Sequence, residues 1–231
     1  MSDTNLKPFT SNAQYIEAET QYLAVRARRI EAEQHERQIV AGGRSSDDCM
    51  VGTPERSAAE QNQHHLAALR QEEASLRQQI DARLAAHRTD SANPRLGLDD
   101  LCETYGLGPL ERVLLLLTTI SALSKERADE VLDPVGWAYA GSVTVECGMR
   151  LMDARTMQER FDARMIVEPG APLLREEMVS LDLGHRSFAE DRLSARVYLR
   201  SPTFRKIMGL PTESHTEPDD SPKGSRRSRQ A

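Results

Sequence analysis

The sequence predicts a mainly α protein with three parts: an N-terminal antiparallel helical hairpin, a smaller α+β domain with a short β-ribbon, and a disordered C-terminal tail. Apolar residues recur every three, four or seven positions through the first third of the chain, which indicates helices. The richest apolar run, residues 113–117, lies in the middle third, and the last stretch of the chain is polar. Only 39% of the 231 residues are hydrophobic and 4% aromatic, which favours an elongated chain over one compact globule.

The first helix of the hairpin is predicted to begin at Asn12, whose side chain can cap the free backbone amides of a first turn. Its apolar stripe recurs every seventh residue and has two tyrosines beside it: Ile16, Leu23 and Ile30, with Tyr15 and Tyr22. The opposite face carries mainly arginine and glutamate. A narrow apolar stripe on a charged rod packs against another rod rather than into a broad core.

A second helix is predicted to begin at Pro54, after a loop that starts at Gly42 and Gly43. Its apolar residues are spaced by three, four and seven: Leu66, Leu69, Leu76, Ile80 and Leu84. Charged residues interrupt both stripes, namely Arg26, Glu73 and Arg83. Because neither rod is stable alone, the hairpin of residues 12–88 is expected to dock on its own C-terminal half, on a second copy or on a partner. The candidate anchors are apolar residues expected to stay exposed: Tyr15, Tyr22 and Leu69.

A linker is predicted at residues 89–97 and a second domain at residues 98–210. The domain begins with a short helix, followed by a helix from Pro109 to Leu123 whose apolar run must be buried nearly all round. Two further helices, two strands and a short helix are predicted at 143–152, 156–165, 178–183, 196–199 and 203–208. Helices followed by a two-stranded ribbon are the plan of a winged-helix domain, so we predict a winged-helix-like fold here.

Both ends of the chain are predicted to be disordered: residues 1–11 and residues 211–231. The C-terminal segment is rich in proline, serine and acidic residues, and it has too few apolar groups to offset the entropy of ordering. It closes with a basic stretch, Lys223, Arg226, Arg227 and Arg229. We expect a solvated tail there rather than a binding element.

No catalytic or cofactor motif occurs in the sequence. None of the four lysines follows a glycine-rich phosphate loop, and the dinucleotide and nucleophile-elbow patterns are missing. Four residues could be gathered by the hairpin as zinc ligands: His35, Cys49, His64 and His65. On a helix, the adjacent His64 and His65 would point about 100° apart. The four residues also lack the ligand spacing of a zinc site. We therefore expect a protein that is not an enzyme and has no cofactor and no metal.

Charge and composition disfavour several classes of partner. The net charge of −6 gives no global attraction to nucleic acid or anionic lipid. There is no secretory signal, and the longest apolar run is far shorter than the roughly 20 residues of a membrane helix. Three widely separated cysteines fit reduced thiols better than a disulfide framework. We expect a cytoplasmic protein with no membrane contact.

Nucleic-acid binding is the alternative interpretation, because a winged helix can place a helix in the major groove. The contacting residues would be Arg150, Arg155, Arg160 and Arg164. The third predicted helix, which ends at Met152, is the one expected to enter the groove, but Arg150 is its one cation and Glu146 lies nearby. Glu159 and Asp162 lie among the other arginines. Since a duplex needs several phosphate-neutralising cations on one face, nucleic acid is disfavoured.

Three stretches carry a resemblance to a known family. They are Leu-Gly-Pro-Leu-Glu-Arg with the apolar run after it at 107–116, Val-Thr-Val with the helix after it at 143–152, and Pro-Gly-Ala-Pro-Leu-Leu-Arg at 169–175. In order and spacing they resemble the winged-helix region that precedes the ATPase module in a group of bacterial AAA+ proteins, some encoded with contractile injection particles. The first helix, with Tyr15-Ile16 and Tyr22-Leu23, is similar to that family's N-terminal helix. The likeness covers most of residues 12–210.

The resemblance implies a winged-helix domain with a regulatory or recruiting role. The family's chain continues into the ATPase, whereas this sequence turns polar after Leu210, so no nucleotide-binding residue can be carried over. The predicted function is a non-catalytic adaptor for a protein partner, such as a separate AAA+ ATPase or a phage-tail-like assembly, with self-association through the hairpin as a further contact. The alternatives are a DNA-binding transcriptional regulator and a folded fragment without a present role.

Overall fold

The structure, a computed structural model, describes residues 7–42, 54–90, 93–136, 142–154, 156–183 and 192–211, without the side chains of 39–42 and 54–60. Its helices are α1 (Asn12–Gly42), α2 (Pro54–Thr89), α3 (Gly97–Tyr105), α4 (Pro109–Leu123), α5 (Lys125–Leu132), α6 (Val145–Leu151), α7 (Met157–Met165), α8 (Pro172–Arg175) and α9 (Ser201–Met208). Its strands are β1 (Val179–Asp182) and β2 (Arg196–Leu199). The described part of the chain is mainly α with a short β-ribbon, which confirms the predicted fold class. No helix in it combines the length and apolarity needed to cross a membrane.

Ion pairs along the hairpin show that α1 and α2 are antiparallel. Three of them join the helices at successive levels: Glu19–Arg77, Arg26–Glu73 and Glu33–Arg70. Arg26 and Glu73 interrupt the two apolar stripes in the sequence, but in the structure they compensate each other, and Arg29 adds a second pair to Glu73. Towards the tip the seam is apolar and contains Val25, Ala32, Leu66 and Leu69.

The base of the hairpin shares one hydrophobic core with the C-terminal half. Ile16, Leu23 and Ile30 of α1 belong to the same buried cluster as Leu114 to Leu117 of α4. Helix α1 also packs against α5, α6 and α9. Of the three docking targets expected for the hairpin, the structure therefore contains the first, its own C-terminal half.

The segment before the hairpin is packed rather than free. Phe9 is fully buried, and its ring centroid lies 5.2 Å from that of Tyr15. The Nδ1 atom of His87 lies 2.8 Å from the carbonyl oxygen of Phe9. The prediction of disorder is therefore wrong for residues 7–11, because one large aromatic side chain anchors them. Residues 1–6 and the predicted tail from residue 212 onward lie outside the described residues.

The predicted linker, residues 89–97, also carries core contacts. Leu96 is buried in the main cluster, and Gly97 begins α3. The backbone amide of Gly97 donates to Oδ1 of Asn12 at 2.7 Å, which ties the start of α3 to the start of α1. The predicted linker therefore packs against the hairpin and the C-terminal domain rather than separating them.

Close packing at Gly97 gives a stability prediction. A Cβ atom there would lie 2.0 Å from the carbonyl oxygen of Lys206 and 2.7 Å from that of Ile207, so α3 and α9 would have to separate. We expect Gly97→Ala to lower the free energy of unfolding by about 1–3 kcal/mol, measured by urea denaturation. Gly170→Ala is the matched control, because a Cβ there meets nothing within 4 Å. Equal midpoints for the two variants would contradict the prediction.

Two short helices are absent from the sequence-based prediction. Helix α5 has Ser124 as its N-cap, whose Oγ accepts from the amide of Arg127 at 3.3 Å, and it buries Ala128, Val131 and Leu132. Helix α8 follows the Pro-Gly-Ala-Pro stretch and has four residues. Helix α8 is too short to show an apolar period, and in α5 five of the eight residues are charged, so its few apolar residues do not mark a helix in the sequence.

The predicted ribbon is present. Strands β1 and β2 are antiparallel, and Thr144 forms a bridge to Arg196 of β2. Thr144 also caps α6, because its Oγ1 accepts from the amide of Cys147 at 3.3 Å. Helix α6 therefore begins at Val145, slightly later than predicted. Helices α4 to α7 followed by this ribbon have the plan of a winged helix.

Candidate partner-docking face

Helix α7 presents an apolar stripe to solvent. Met157, Phe161 and Met165 are 82%, 59% and 51% exposed, and their spacing of four residues places them on one side of the helix. Ala163 is the buried residue of α7, so the helix lies on the domain by the opposite side. A contiguous exposed apolar patch is typical of an interaction site, whereas single exposed apolar residues are common on any surface.

Local contacts keep α7 helical while this stripe is exposed. Thr156 and Glu159 form a capping box at its start. The amide of Glu159 donates to Oγ1 of Thr156 at 3.2 Å, and the amide of Thr156 donates to a carboxylate oxygen of Glu159 at 2.7 Å. The stripe is therefore displayed on a capped helix.

The two borders of the stripe differ in charge. Helical geometry places Arg160 and Arg164 along one border and Gln158 and Asp162 along the other. Gln158 donates to Asp162 at 2.7 Å, while Arg164 lies 3.8 Å from Glu168. We refer to the three stripe residues with their arginine border as the α7 face. This face can bury apolar groups and attract negative charge along one edge.

A buried ionic cluster holds the hairpin on the domain that carries α7. Arg112 of α4 donates to Asp99 at 2.7 Å and to Glu19 at 2.9 Å, and it also contacts the hydroxyl of Tyr15. That hydroxyl donates to Asp99 at 2.7 Å. Arg77 of α2 lies 3.3 Å from Glu19. These five residues, from α1, α2, α3 and α4, form the buried ionic cluster.

Burial shifts the ionisation of this cluster. It raises the pKa of Glu19 to about 7, although the charge of Arg77 acts in the opposite direction. Burial also raises the pKa of Asp99 and lowers the pKa of the Arg112 guanidinium. Because these groups contact one another across α1, α2, α3 and α4, the cluster positions the four helices.

The sequence matches the family model described as winged helix domain, variant, over residues 1–216. The chain belongs to this family. No curated protein and no solved structure matches the chain. In this variant winged-helix domain, α6 and α7 form a helix pair joined by a short turn, and α7 is the second helix, the one that enters the groove in helix-turn-helix proteins.

The anchors predicted on the hairpin have a different environment from the one expected. Tyr15 is fully buried and Leu69 is 4% exposed, so the expectation that they stay exposed is wrong. Tyr15 is covered because α1 docks on α4, and Leu69 because it fills the seam between α1 and α2. Tyr22 is half-buried, with the guanidinium of Arg77 5.3 Å from its ring centroid.

The four arginines of the DNA-binding alternative do not gather on one helix. Arg150 lies on α6, where it donates to the carbonyl oxygen of Val135 at 2.8 Å and pairs with Glu146 at 3.2 Å. Arg160 and Arg164 lie on α7, and Arg155 lies outside the described residues. Helix α6 is mostly buried, which disfavours the expectation that this helix enters the groove. The exposed helix of the pair is α7.

A cavity lined mainly by charged side chains lies away from α7. Its volume is about 390 Å³, and it opens between α2 and α3. Three of its acids are engaged in ion pairs: Asp99 and Glu103 with Arg88, and Asp100 with Arg95 and Lys206. Paired carboxylates of this kind fit a structural role at the junction of helices better than acid–base chemistry.

The described part of the chain also lacks a metal-binding cluster, and its Cys102 thiol is not activated. No group of three or more histidine, cysteine, aspartate or glutamate residues is placed there to hold a metal ion. His35, His64 and His65 are exposed, and Cys49 lies outside the described residues. Burial raises the pKa of Cys102 to about 12, so this thiol is not an activated nucleophile.

Proposed function

We propose that this variant winged-helix protein is a non-catalytic interaction module that binds a protein partner through the α7 face. The observation that carries the proposal is the exposure of Met157, Phe161 and Met165 on the second helix of the pair. Burying one large apolar side chain contributes about 1.5–3 kcal/mol, so a partner that covers all three gains enough for a specific contact. Phe161, at the centre of the stripe, is the expected main anchor.

The absence of catalysis is part of the proposal. Glu19 and Asp99 of the buried ionic cluster are engaged with arginine, and Asp100 and Glu103 of the 390 Å³ cavity with arginine or lysine. The sequence carries no phosphate-binding loop and no nucleophile elbow. These observations favour a protein that works by contact rather than by turnover.

The resemblance to the N-terminal region of AAA+ proteins supports a class of partner. In that family the winged-helix region and the ATPase share a chain, so an ATPase on a separate chain is the partner we propose to test first. The hairpin rigidly docked on the same core would hold the α7 face at a defined distance from the hairpin tip. A phage-tail-like assembly is the other partner that the resemblance supports.

DNA binding through the same helix is the second candidate function. It is favoured by the winged-helix fold and by Arg160, which is exposed and makes no ion pair with any residue that the structure describes. Arg150 and Arg164 would have to share their existing carboxylate contacts with phosphates. The apolar stripe would face a polar groove without burying its surface in a complementary partner.

Replacing Phe161 by serine tests the proposal directly. We expect the affinity for the partner to fall about 30-fold or more, because truncation of a central aromatic anchor costs about 2 kcal/mol or more. The measurement is capture of an AAA+ ATPase from native lysate by the full chain, followed by titration of the purified partner. Circular dichroism of the variant verifies that its fold is intact.

The matched control is Tyr198→Ser, because Tyr198 is an aromatic residue of β2 that is 47% exposed. It should bind the partner like the wild type. A gel shift against random duplex DNA at low and high salt addresses the alternative. Duplex binding that falls steeply with salt and disappears in Arg160→Ser, with no partner that depends on Phe161, would favour the DNA-binding function.

A further inference from the structure

We propose that the occupant of the α7 face is an amphipathic helix of the partner protein, whose apolar anchors are bordered on one side by acidic side chains. This inference rests on the proposed function and adds the chemistry of the partner. It depends on three properties of the described residues: the length of the stripe, the charge of one border, and the poor fit of the other occupants.

The stripe has the dimensions of a helix-binding site. Met157 and Met165 are eight residues apart, which corresponds to about 12 Å along the helix axis. An amphipathic helix presents anchors at positions i, i+4 and i+7 or i+8 over the same length. The two methionines can adapt to anchors of different shape, and Phe161 between them offers a rigid flat surface.

The arginine border selects the charge of the partner. Arg160 and Arg164 follow the stripe along one edge. Arg164 contacts Glu168, and the carboxylate of Glu168 also pairs with Arg192 at 3.2 Å. Arg160 and Arg164 therefore give this border two positively charged side chains. Acidic side chains on a docked helix would lie against these guanidinium groups and gain complementary contacts, whereas basic side chains would be repelled.

The chain's own tail does not fit this face. Residues 212–231 contain no leucine, isoleucine, valine, methionine, phenylalanine, tyrosine or tryptophan. The tail therefore cannot supply the apolar anchors that the stripe requires. Its closing basic stretch would also be repelled by Arg160 and Arg164.

A second copy of the chain also fits poorly. When two identical helices pair in antiparallel orientation, the same border of each helix faces its counterpart. Arg160 and Arg164 of one copy would then lie against the same two residues of the other copy. Like charges in that position oppose association. In a parallel pairing the arginine border would face Gln158 and Asp162, which offer one carboxylate to two arginines. A different protein with several acidic residues on this border is therefore the better occupant.

The test uses the full chain and two synthetic helical peptides of about 18 residues. Both carry the same leucine and phenylalanine anchors at i, i+4 and i+8, and they differ only in glutamate or lysine along one border. At about 0.15 M salt we expect the acidic peptide to bind about tenfold more tightly than the basic peptide, measured by fluorescence anisotropy. The double variant Arg160→Glu with Arg164→Glu should reverse this preference, and Phe161→Ser should abolish binding of both peptides.

Each other outcome overturns the inference in a distinguishable way. If both peptides bind equally and Phe161→Ser weakens both, the α7 face docks a protein helix without a preference for acidic residues. The proposed function would then stand, and the inference of an acidic partner would be refuted. If Phe161→Ser leaves binding of the acidic peptide unchanged, the contact lies outside the α7 face. That result would overturn both the inferred acidic helix and the proposed docking function of this face. If neither peptide binds, an amphipathic acidic helix is not the occupant, and sedimentation equilibrium then decides whether a second copy is: wild-type self-association lost in Phe161→Ser would identify it.

Discussion

Replacing Arg112 by leucine is expected to lower the free energy of unfolding by about 3–5 kcal/mol at pH 8. Arg112 donates to two buried carboxylates, Asp99 at 2.7 Å and Glu19 at 2.9 Å. Leucine fills part of the volume but removes the counter-charge that the two carboxylates share, so that Glu19 keeps its pair with Arg77 and Asp99 its pair with Arg88. Removing one partner of a buried ionic group costs far more than the ion pair contributes. The measurement is urea denaturation followed by circular dichroism.

Arg127→Leu is the matched control for this substitution. Arg127 pairs with Glu17 and Glu130 at 2.9 Å each, but the three side chains are about half exposed, so the loss should be much smaller than for Arg112→Leu. Removing the two buried charges together with Arg112, in the triple variant with Glu19→Gln and Asp99→Asn, should recover part of the stability. Similar losses for Arg112→Leu and Arg127→Leu would show that the cluster does not hold the hairpin.

The stability of the wild-type chain is expected to fall by about 3 kcal/mol as the pH rises from about 4.5 to about 7, through Glu19 alone. Burial raises the pKa of Glu19 from its ordinary value of 4.5 to about 7. Between these values the folded chain holds a proton on Glu19 that the unfolded chain has released. The folded state therefore binds more protons, and its advantage is complete below pH 4.5 and lost above pH 7.

Glu19→Gln tests this prediction, because glutamine is similar in shape to the protonated carboxyl and does not titrate. The free energy of unfolding of the variant should exceed that of the wild type at pH 8 and approach it near pH 5, measured by urea denaturation at each pH. Glu17→Gln, two residues earlier on α1 and about half exposed, should follow the wild-type profile. A Glu19→Gln profile parallel to the wild type across this range would refute the assignment.

The longer helices of this protein are predictable from the sequence because their signals are local. Pro54 and Pro109 each begin a helix, and Gly106 ends one in a left-handed conformation. The run 113–117 predicts a helix buried nearly all round, and Leu114 to Leu117 are each at most 2% exposed. The sequence missed α8, which has four residues, and α5, in which five of eight residues are charged and hide the apolar ones.

The α7 face shows why an exposed site cannot be predicted from local sequence patterns. Met157, Phe161 and Met165 lie in a helix that the sequence predicts, and their spacing of four is the spacing of a core stripe. Tyr15 and Leu69 have the same kind of spacing and are buried. The pattern establishes that three side chains share one side of a helix, but it does not establish whether anything covers them. That depends on which element packs opposite.

By itself, the sequence determined the class of the fold, the periods of the long helices and the absence of the catalytic motifs that were sought. These properties depend on residues within a few positions of one another. The tertiary structure decided which faces are covered and which charges meet, as when Arg112 reaches Glu19 across 93 positions in the chain. Burial and ionisation depend on what chain folding brings close, because desolvation and charge act through space, and no local pattern of residues records that environment.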